Sequence, residues 1–195
     1  LSSVDENVTT NSIRDIICHA DILEAMGCTP ESGSVIILHG GGVYGDKEAA
    51  IRRIKSNFYK IPEYARRYIV LENDEKSYSP DDLLPICEEL GVSFVMDVFH
   101  YKCMYPKLYN NMLHDDKLWS RIVSTWQVCN PKIHVSTQAP NGRIGGHSDY
   151  INTREINMKL VYKICKKYKI DIMIEAKKKD LALDKLKIYI NKTFR

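Results

Sequence analysis

Seven side chains able to bind a divalent metal stand where short apolar runs end: His39, Glu72, Asp97, His100, His134, His147 and Glu175. Imidazole and carboxylate ligands without thiolate suit Mn2+, Zn2+ or Fe2+, and do not suit Mg2+ or Ca2+ alone. Seven candidates exceed what one tetrahedral centre takes, since a structural site of that kind closes with four ligands. Two or three metals bridged by carboxylates are therefore expected. That arrangement cleaves phosphate esters, one metal activating water while another neutralises the leaving oxygen. Each residue alone also has a plainer reading. A histidine after a strand is commonly a hydrogen-bonded loop residue, and a lone acid there is commonly the N-cap of the next helix. The chain has only six histidines, however, and four of them fall at or just past these runs. His19 and His114 lie inside helical stretches and are read as structural.

The elements that must position these residues alternate regularly. Five short β-branched runs, at 35–38, 68–71, 92–96, 133–135 and 170–174, read as buried parallel strands covered on both faces. Helical segments are predicted at 46–58, 80–90, 109–126 and 153–168, with one before the first strand (10–26) and one after the last (181–194). Ser79-Pro80-Asp81-Asp82 supplies an N-cap with proline at the first helical position, and Gly27 and Gly91 supply C-caps. The resulting α(βα)5 pattern, over one domain spanning residues 1–195, implies a parallel sheet, either open and doubly wound or part of a barrel. In a barrel the C-terminal strand ends form the active-site rim. The glycine-rich stretch His39-Gly40-Gly41-Gly42-Val43-Tyr44-Gly45-Asp46-Lys47 fits neither a dinucleotide fingerprint nor a P-loop, so no nucleotide cofactor is expected.

Composition narrows the class. No run approaches the ~20 apolar residues of a membrane span, and the first residues carry no signal-peptide pattern. The six cysteines show no CxxC pair and no regular spacing, so they read as reduced thiols of an intracellular protein whose compartment the sequence leaves open. A net charge of +3 is weak evidence for a nucleic-acid partner. Lysines crowd the last stretch, from Lys163 to Lys187, and most read as solvated helix faces.

At the residues above the chain resembles the UV-damage endonucleases, relatives of endonuclease IV and the xylose isomerases. The matching motifs run in family order. They are His39-Gly40-Gly41 with Tyr44-Gly45-Asp46-Lys47, Leu71-Glu72-Asn73-Asp74, and Leu84-Pro85-Ile86-Cys87-Glu88-Glu89-Leu90-Gly91 leading to Asp97-Val98-Phe99-His100. Lys132-Ile133-His134-Val135-Ser136, His147-Ser148-Asp149-Tyr150-Ile151, and Glu175-Ala176-Lys177 with Asp180-Leu181-Ala182-Leu183 complete the set.

The resemblance implies a (β/α)8 TIM barrel, here incomplete and covering about strands four to eight. It assigns His39 and Glu72 to a first metal, Glu72 (bridging), Asp97, His134 and Glu175 to a second, and His100 with His147 to a third. Glu72, Glu175 and Lys132 would be catalytic, Lys132 matching a family lysine that can carry a carboxylate adduct near the metals. Asp149 would be a further ligand, an N-cap or a hydrogen-bonding residue; Arg143 and Lys177 would contact DNA, although a solvated loop position also suits Arg143. The implied cofactors are Mn2+, or Zn2+ or a mixture, two or three per complete site. The implied substrate is damaged double-stranded DNA, cut 5′ to a photoproduct by a protein that is monomeric when complete. The family's His-Pro-Gly-Gln-Phe motif, with a further ligand and a lesion-probing glutamine, would lie just before Leu1. An abasic-site endonuclease, a sugar isomerase or an inactive truncated fragment remain as alternatives.

Overall fold

The structure, a computed structural model, describes residues 1–194. Its five strands are β1 (Ile36–His39), β2 (Ile69–Glu72), β3 (Ser93–Asp97), β4 (Lys132–Val135) and β5 (Asp171–Ile174). All neighbours are parallel and the spatial order is β1-β2-β3-β4-β5. A doubly wound sheet reverses its order at a switch point; this one advances without reversal, as the wall of a barrel does. The fold is α/β and TIM-barrel-like.

The principal helices are α1 (Glu6–Ala25), α2 (Lys47–Phe58), α3 (Glu63–Arg66), α4 (Pro80–Leu90), α5 (Val98–Met104), α6 (Tyr109–Leu113), α7 (Asp116–Ser124), α8 (Met158–Tyr168) and α9 (Lys179–Thr193). The capping chemistry at α4 is as the sequence predicts. Ser79 and Asp82 form a reciprocal capping box behind Pro80, and Gly91 closes the helix in the left-handed region at φ 65°. Elsewhere local polar groups move the boundaries. The Asp5 carboxylate accepts the amides of Asn7 and Val8, so α1 starts at Glu6 rather than residue 10. The single helix expected at 109–126 breaks after Leu113, because Asp115 caps a new helix by accepting the amides of Lys117 and Leu118. Residues 153–157 form turns, and Asn157 caps α8 by accepting the amide of Leu160. The unforeseen α5 follows β3 with no loop at all. No helix among the described residues is long and apolar enough to cross a membrane.

The sheet has two unlike faces. Ile69, Leu71, Phe94, Met96, Ile133 and Val135 join the main core with helix residues such as Ile54, Leu83, Trp119 and Val161. The alternate positions Val70 and Val95 form a separate, smaller apolar cluster with Trp126, joined by Val35, Ile37 and Cys129. Continuous apolar runs therefore arise because one face packs on helices while the other carries an apolar floor. Above that floor the same face becomes polar at His39, Glu72, Asp97 and His134, two residues further along each strand (His39 after Ile37, Glu72 after Val70, Asp97 after Val95). Among the described residues β1 has no strand partner on its outer edge, where a groove of about 570 Å3 runs between it and α1, lined by Ile16, Leu23, Val35 and Ile37.

Gly40 fixes where β1 hands over to the loop behind His39. A Cβ there would stand 2.5 Å from the ring of Tyr78, which is completely buried and cannot retreat. Gly40→Ala should lower stability by about 1–3 kcal/mol through overpacking. Urea denaturation checks this, and an unchanged midpoint would refute the contact.

Candidate metal centre

The parallel register brings the predicted residues to one rim. His39 lies opposite Glu72, and Asp97 lies opposite His134. Glu175 follows β5 and is held by its own amide donating to the carbonyl of Val135 at 3.0 Å. Two clusters result, sharing Glu72: His39 with Glu72 and His100, and Glu72 with Asp97, His134 and Glu175. His134 Nδ1 stands 2.7 Å from Glu72 Oε1 and 3.5 Å from Glu175 Oε1. His39 Nε2 approaches the other Glu72 oxygen at 3.6 Å.

His100 and His147 meet next to this cluster. Their Nε2 atoms are 3.5 Å apart, and His147 Nε2 is 3.6 Å from Glu175 Oε2. His100 Nδ1 lies 3.2 Å from the backbone carbonyl of Asn73; donating there leaves Nε2 as the free lone pair. His147 reaches the rim on a hairpin. Ala139 donates to the carbonyl of Gly146, Ser148 donates to that of Thr137, and the Thr137 and Ser148 hydroxyls are bonded at 2.7 Å.

The electrostatics call for a cation. Asp97 is completely buried, and its Oδ1 accepts the amide of His100 at 2.7 Å. Its Oδ2 is buried with no partner, as is Nε2 of His134. Burial and then the charge of Glu72 push the Asp97 carboxyl well above the usual carboxylate range. Burial alone would lower the His134 pKa, but the hydrogen bond and charge of Glu72, with the charge of Glu175, raise it instead. Burial lowers that of His100. Carboxylates and imidazoles gathered around the buried Glu72 and Asp97, with a carboxylate oxygen left without a hydrogen bond, fit a divalent metal in chemistry and in arrangement.

Other candidates lie elsewhere. Lys132, expected to be catalytic, stands at the N-terminal end of β4, about 7 Å of strand rise below His134. Its ammonium is 3.4 Å from Asp171, so the structure does not bring it among the carboxylates of the rim. Arg143 is exposed on the loop between Gln138 and His147, and Lys177 is exposed just past Glu175. Asp149 is exposed and caps no helix, Asn157 having that role for α8. His19 binds the carbonyl of Asp15 within α1, and His114 ends α6. Sequence reasoning passes over Asn73, whose fully buried carboxamide bonds both backbone groups of Asp97. An uncharged amide gives no signal in a search for ligands; only its place directly after Glu72 could have drawn notice.

The raised Asp97 pKa has a definite sign in linkage. The metal-free fold binds an extra proton, so this contribution to stability is complete below the ordinary carboxylate pKa. It is lost as pH rises through the elevated one. An asparagine in this position keeps the acceptor for the His100 amide but cannot ionise. Without metal, Asp97→Asn should therefore gain on the parent by about 1–3 kcal/mol between pH 5 and pH 8. Any melting-temperature increase on adding Mn2+ should be largely lost in this variant. Thermal denaturation with chelator and with Mn2+ measures both; a variant that falls behind the parent at pH 8 contradicts the account.

Residues 1–192 match the family described as UV-endonuclease UvdE. A protein of Acanthamoeba polyphaga mimivirus is 42% identical over 193 residues, covering 97% of this chain and 56% of that protein. The UV DNA damage endonuclease of Bacillus velezensis is 34% identical over 195 residues, covering 95% of this chain and 57% of its own. The crystal structure of SacUVDE superposes with a TM-score of 0.82 at 30% identity, covering 98% of this chain and 62% of the other. The chain thus spans about half the length of the curated relatives it matches. By a family match that takes in every residue of the rim, this chain belongs to the UV-endonuclease UvdE family.

Proposed function

We propose that this chain supplies most of the metal centre of a DNA endonuclease that cuts the backbone 5′ to UV photoproducts and so opens excision repair. The observation that carries the reading is the convergence of Glu72, Asp97, His134 and Glu175 around a buried, unpartnered carboxylate oxygen. The relatives named as UV DNA damage endonucleases supply the substrate.

Glu72 is the residue common to both clusters and would bridge two metals, His39 completing one side and Asp97, His134 and Glu175 the other. His100 and His147 would hold a third, with Glu175 reaching from one to the next. Mn2+ is the favoured ion and Zn2+, or a mixture of the two, the alternative, because the ligand set mixes imidazole with carboxylate. Metals held here would supply an activated water and positive charge at the leaving oxygen. The side chains do the positioning: each carboxylate fixes the spacing of its neighbours, and no protein nucleophile is required. Arg143 and Lys177, both exposed near the rim, would contact phosphates of the duplex. A damaged nucleotide leaves the stack more cheaply than an intact one, which gives selectivity at a lesion.

The unpaired edge of β1 and the apolar groove beside it support the reading of these five strands as strands four to eight of an eight-stranded barrel. On this reading the chain alone binds metal, and cleavage needs the remaining strands.

With irradiated supercoiled plasmid and Mn2+, the chain extended to the length of its relatives should nick damaged DNA and spare unirradiated plasmid. Glu175→Gln should lower that rate at least ~100-fold, the order of effect seen when a group serving the transition state is removed. Equal nicking of both plasmids, or none by the extended protein, would sink the proposal.

A further inference from the structure

Resting on the metal-centre reading, we infer that Asn73 is the positioning residue of the centre: its carboxamide extends the β2–β3 ladder by one rung, and its carbonyl orients His100. The backbone pairing of β2 with β3 ends at Glu72 opposite Val95. Beyond Glu72 the chain turns away. Asp74 accepts the amides of Lys76 and Ser77 and donates its own amide to the carbonyl of Tyr78 at 3.1 Å. The backbone of β2 is thereby committed to a tight turn just where β3 must still be held to deliver its ligand.

The side chain of Asn73 takes over. Its Oδ1 accepts the amide of Asp97 at 2.9 Å, and its Nδ2 donates to the carbonyl of Asp97 at 3.0 Å. A carboxamide has the same donor and acceptor as a peptide group, so this pair of bonds replaces the next rung of the sheet. The same residue's backbone carbonyl lies 3.2 Å from His100 Nδ1. Accepting a hydrogen bond from Nδ1–H there favours the tautomer with a lone pair on Nε2, the nitrogen that faces His147. One fully buried, uncharged residue thus sets the height of Asp97 and the ring orientation of His100, two candidate ligands on different elements.

A merely structural role would cost stability and nothing more, so the test compares substitutions of similar cost. Asn73→Ala and the milder Asn73→Ser are set beside Leu84→Ala, which cuts into the buried core at α4. Circular dichroism and urea midpoints report on the fold. Mn2+ affinity of the chain is measured by titration, and the His100 ring of metal-free protein is read by 15N NMR. The expected result is a parent with His100 in the Nδ1–H tautomer, and folded Asn73 variants, which keep the backbone carbonyl, whose Mn2+ affinity falls about 10–100-fold while that of Leu84→Ala does not. Asn73 variants with Mn2+ affinity within about threefold of the parent, against that expected loss, or a parent His100 protonated on Nε2 instead of Nδ1, overturn the inference. So does an equal loss of affinity in Leu84→Ala, or failure of both Asn73 variants to fold. If the parent binds no Mn2+, the metal-centre reading fails instead, and the tautomer of the parent still decides whether the Asn73 carbonyl holds the His100 ring.

Discussion

The repulsion among Glu72, Asp97 and Glu175 is the constraint around which the rim is organised. Two of these carboxylates are almost wholly buried, and Asp97 Oδ2 has no hydrogen-bond partner, with His100 Nδ1 3.6 Å away. Folding a chain into such an arrangement opposes the general rule that buried charges are paired. Without a cation the molecule compromises: the Asp97 carboxyl holds its proton to higher pH, and so does the His134 imidazole beside Glu72 and Glu175. Those protons occupy places where a divalent ion would do the same work with more charge. The site is therefore a local loss of stability at the functional end of the sheet, where strained groups commonly cluster.

What carries that load is the sheet beneath. Trp126 packs with Val70 and Val95 on the face that bears the polar rim, and its indole donates to the carbonyl of Phe94 at 2.8 Å. On the opposite face, the core of Leu71, Phe94, Met96 and Ile133 is locked against α4, α7 and α8. Because side chains alternate, a slip of one residue at any strand would send a ligand outward into that core. The register that satisfies hydrophobic packing is also the register that collects the ligands, so stability and site geometry are enforced by the same contacts.

The candidate ligand cluster was legible in the sequence because parallel strands deposit their C-terminal residues on one rim. Counting the polar residues at the end of each apolar run was enough to find His39, Glu72, Asp97, His134 and Glu175. The strands and the caps of α4 were legible for similar reasons, being written in local residue types. Other features depend on depth or on contacts across the fold. Lys132 shares a strand face with His134 but sits a full alternation lower, and spacing alone does not distinguish tiers. The break between α6 and α7 turns on Asp115 recapping the chain, a choice the helical periodicity of 109–126 obscures. Asn73 acts through an amide, and the groups it satisfies belong to the backbone of another strand.

At the β3–α5 junction these demands meet in one residue. Asp97 is at once the last residue of β3, the N-cap of α5 and a candidate ligand. Its two oxygens divide the labour: Oδ1 accepts the His100 amide and starts the helix, while Oδ2 is left buried and unpartnered. The capping bond also fixes the three-residue spacing between Asp97 and His100, which a loop would have left free. Strand, cap and ligand can share one residue only if the strand's end is held in register after its neighbour has turned away. That holding falls to Asn73, so the absence of a loop after β3 and the presence of a carboxamide after β2 are two consequences of one geometric demand.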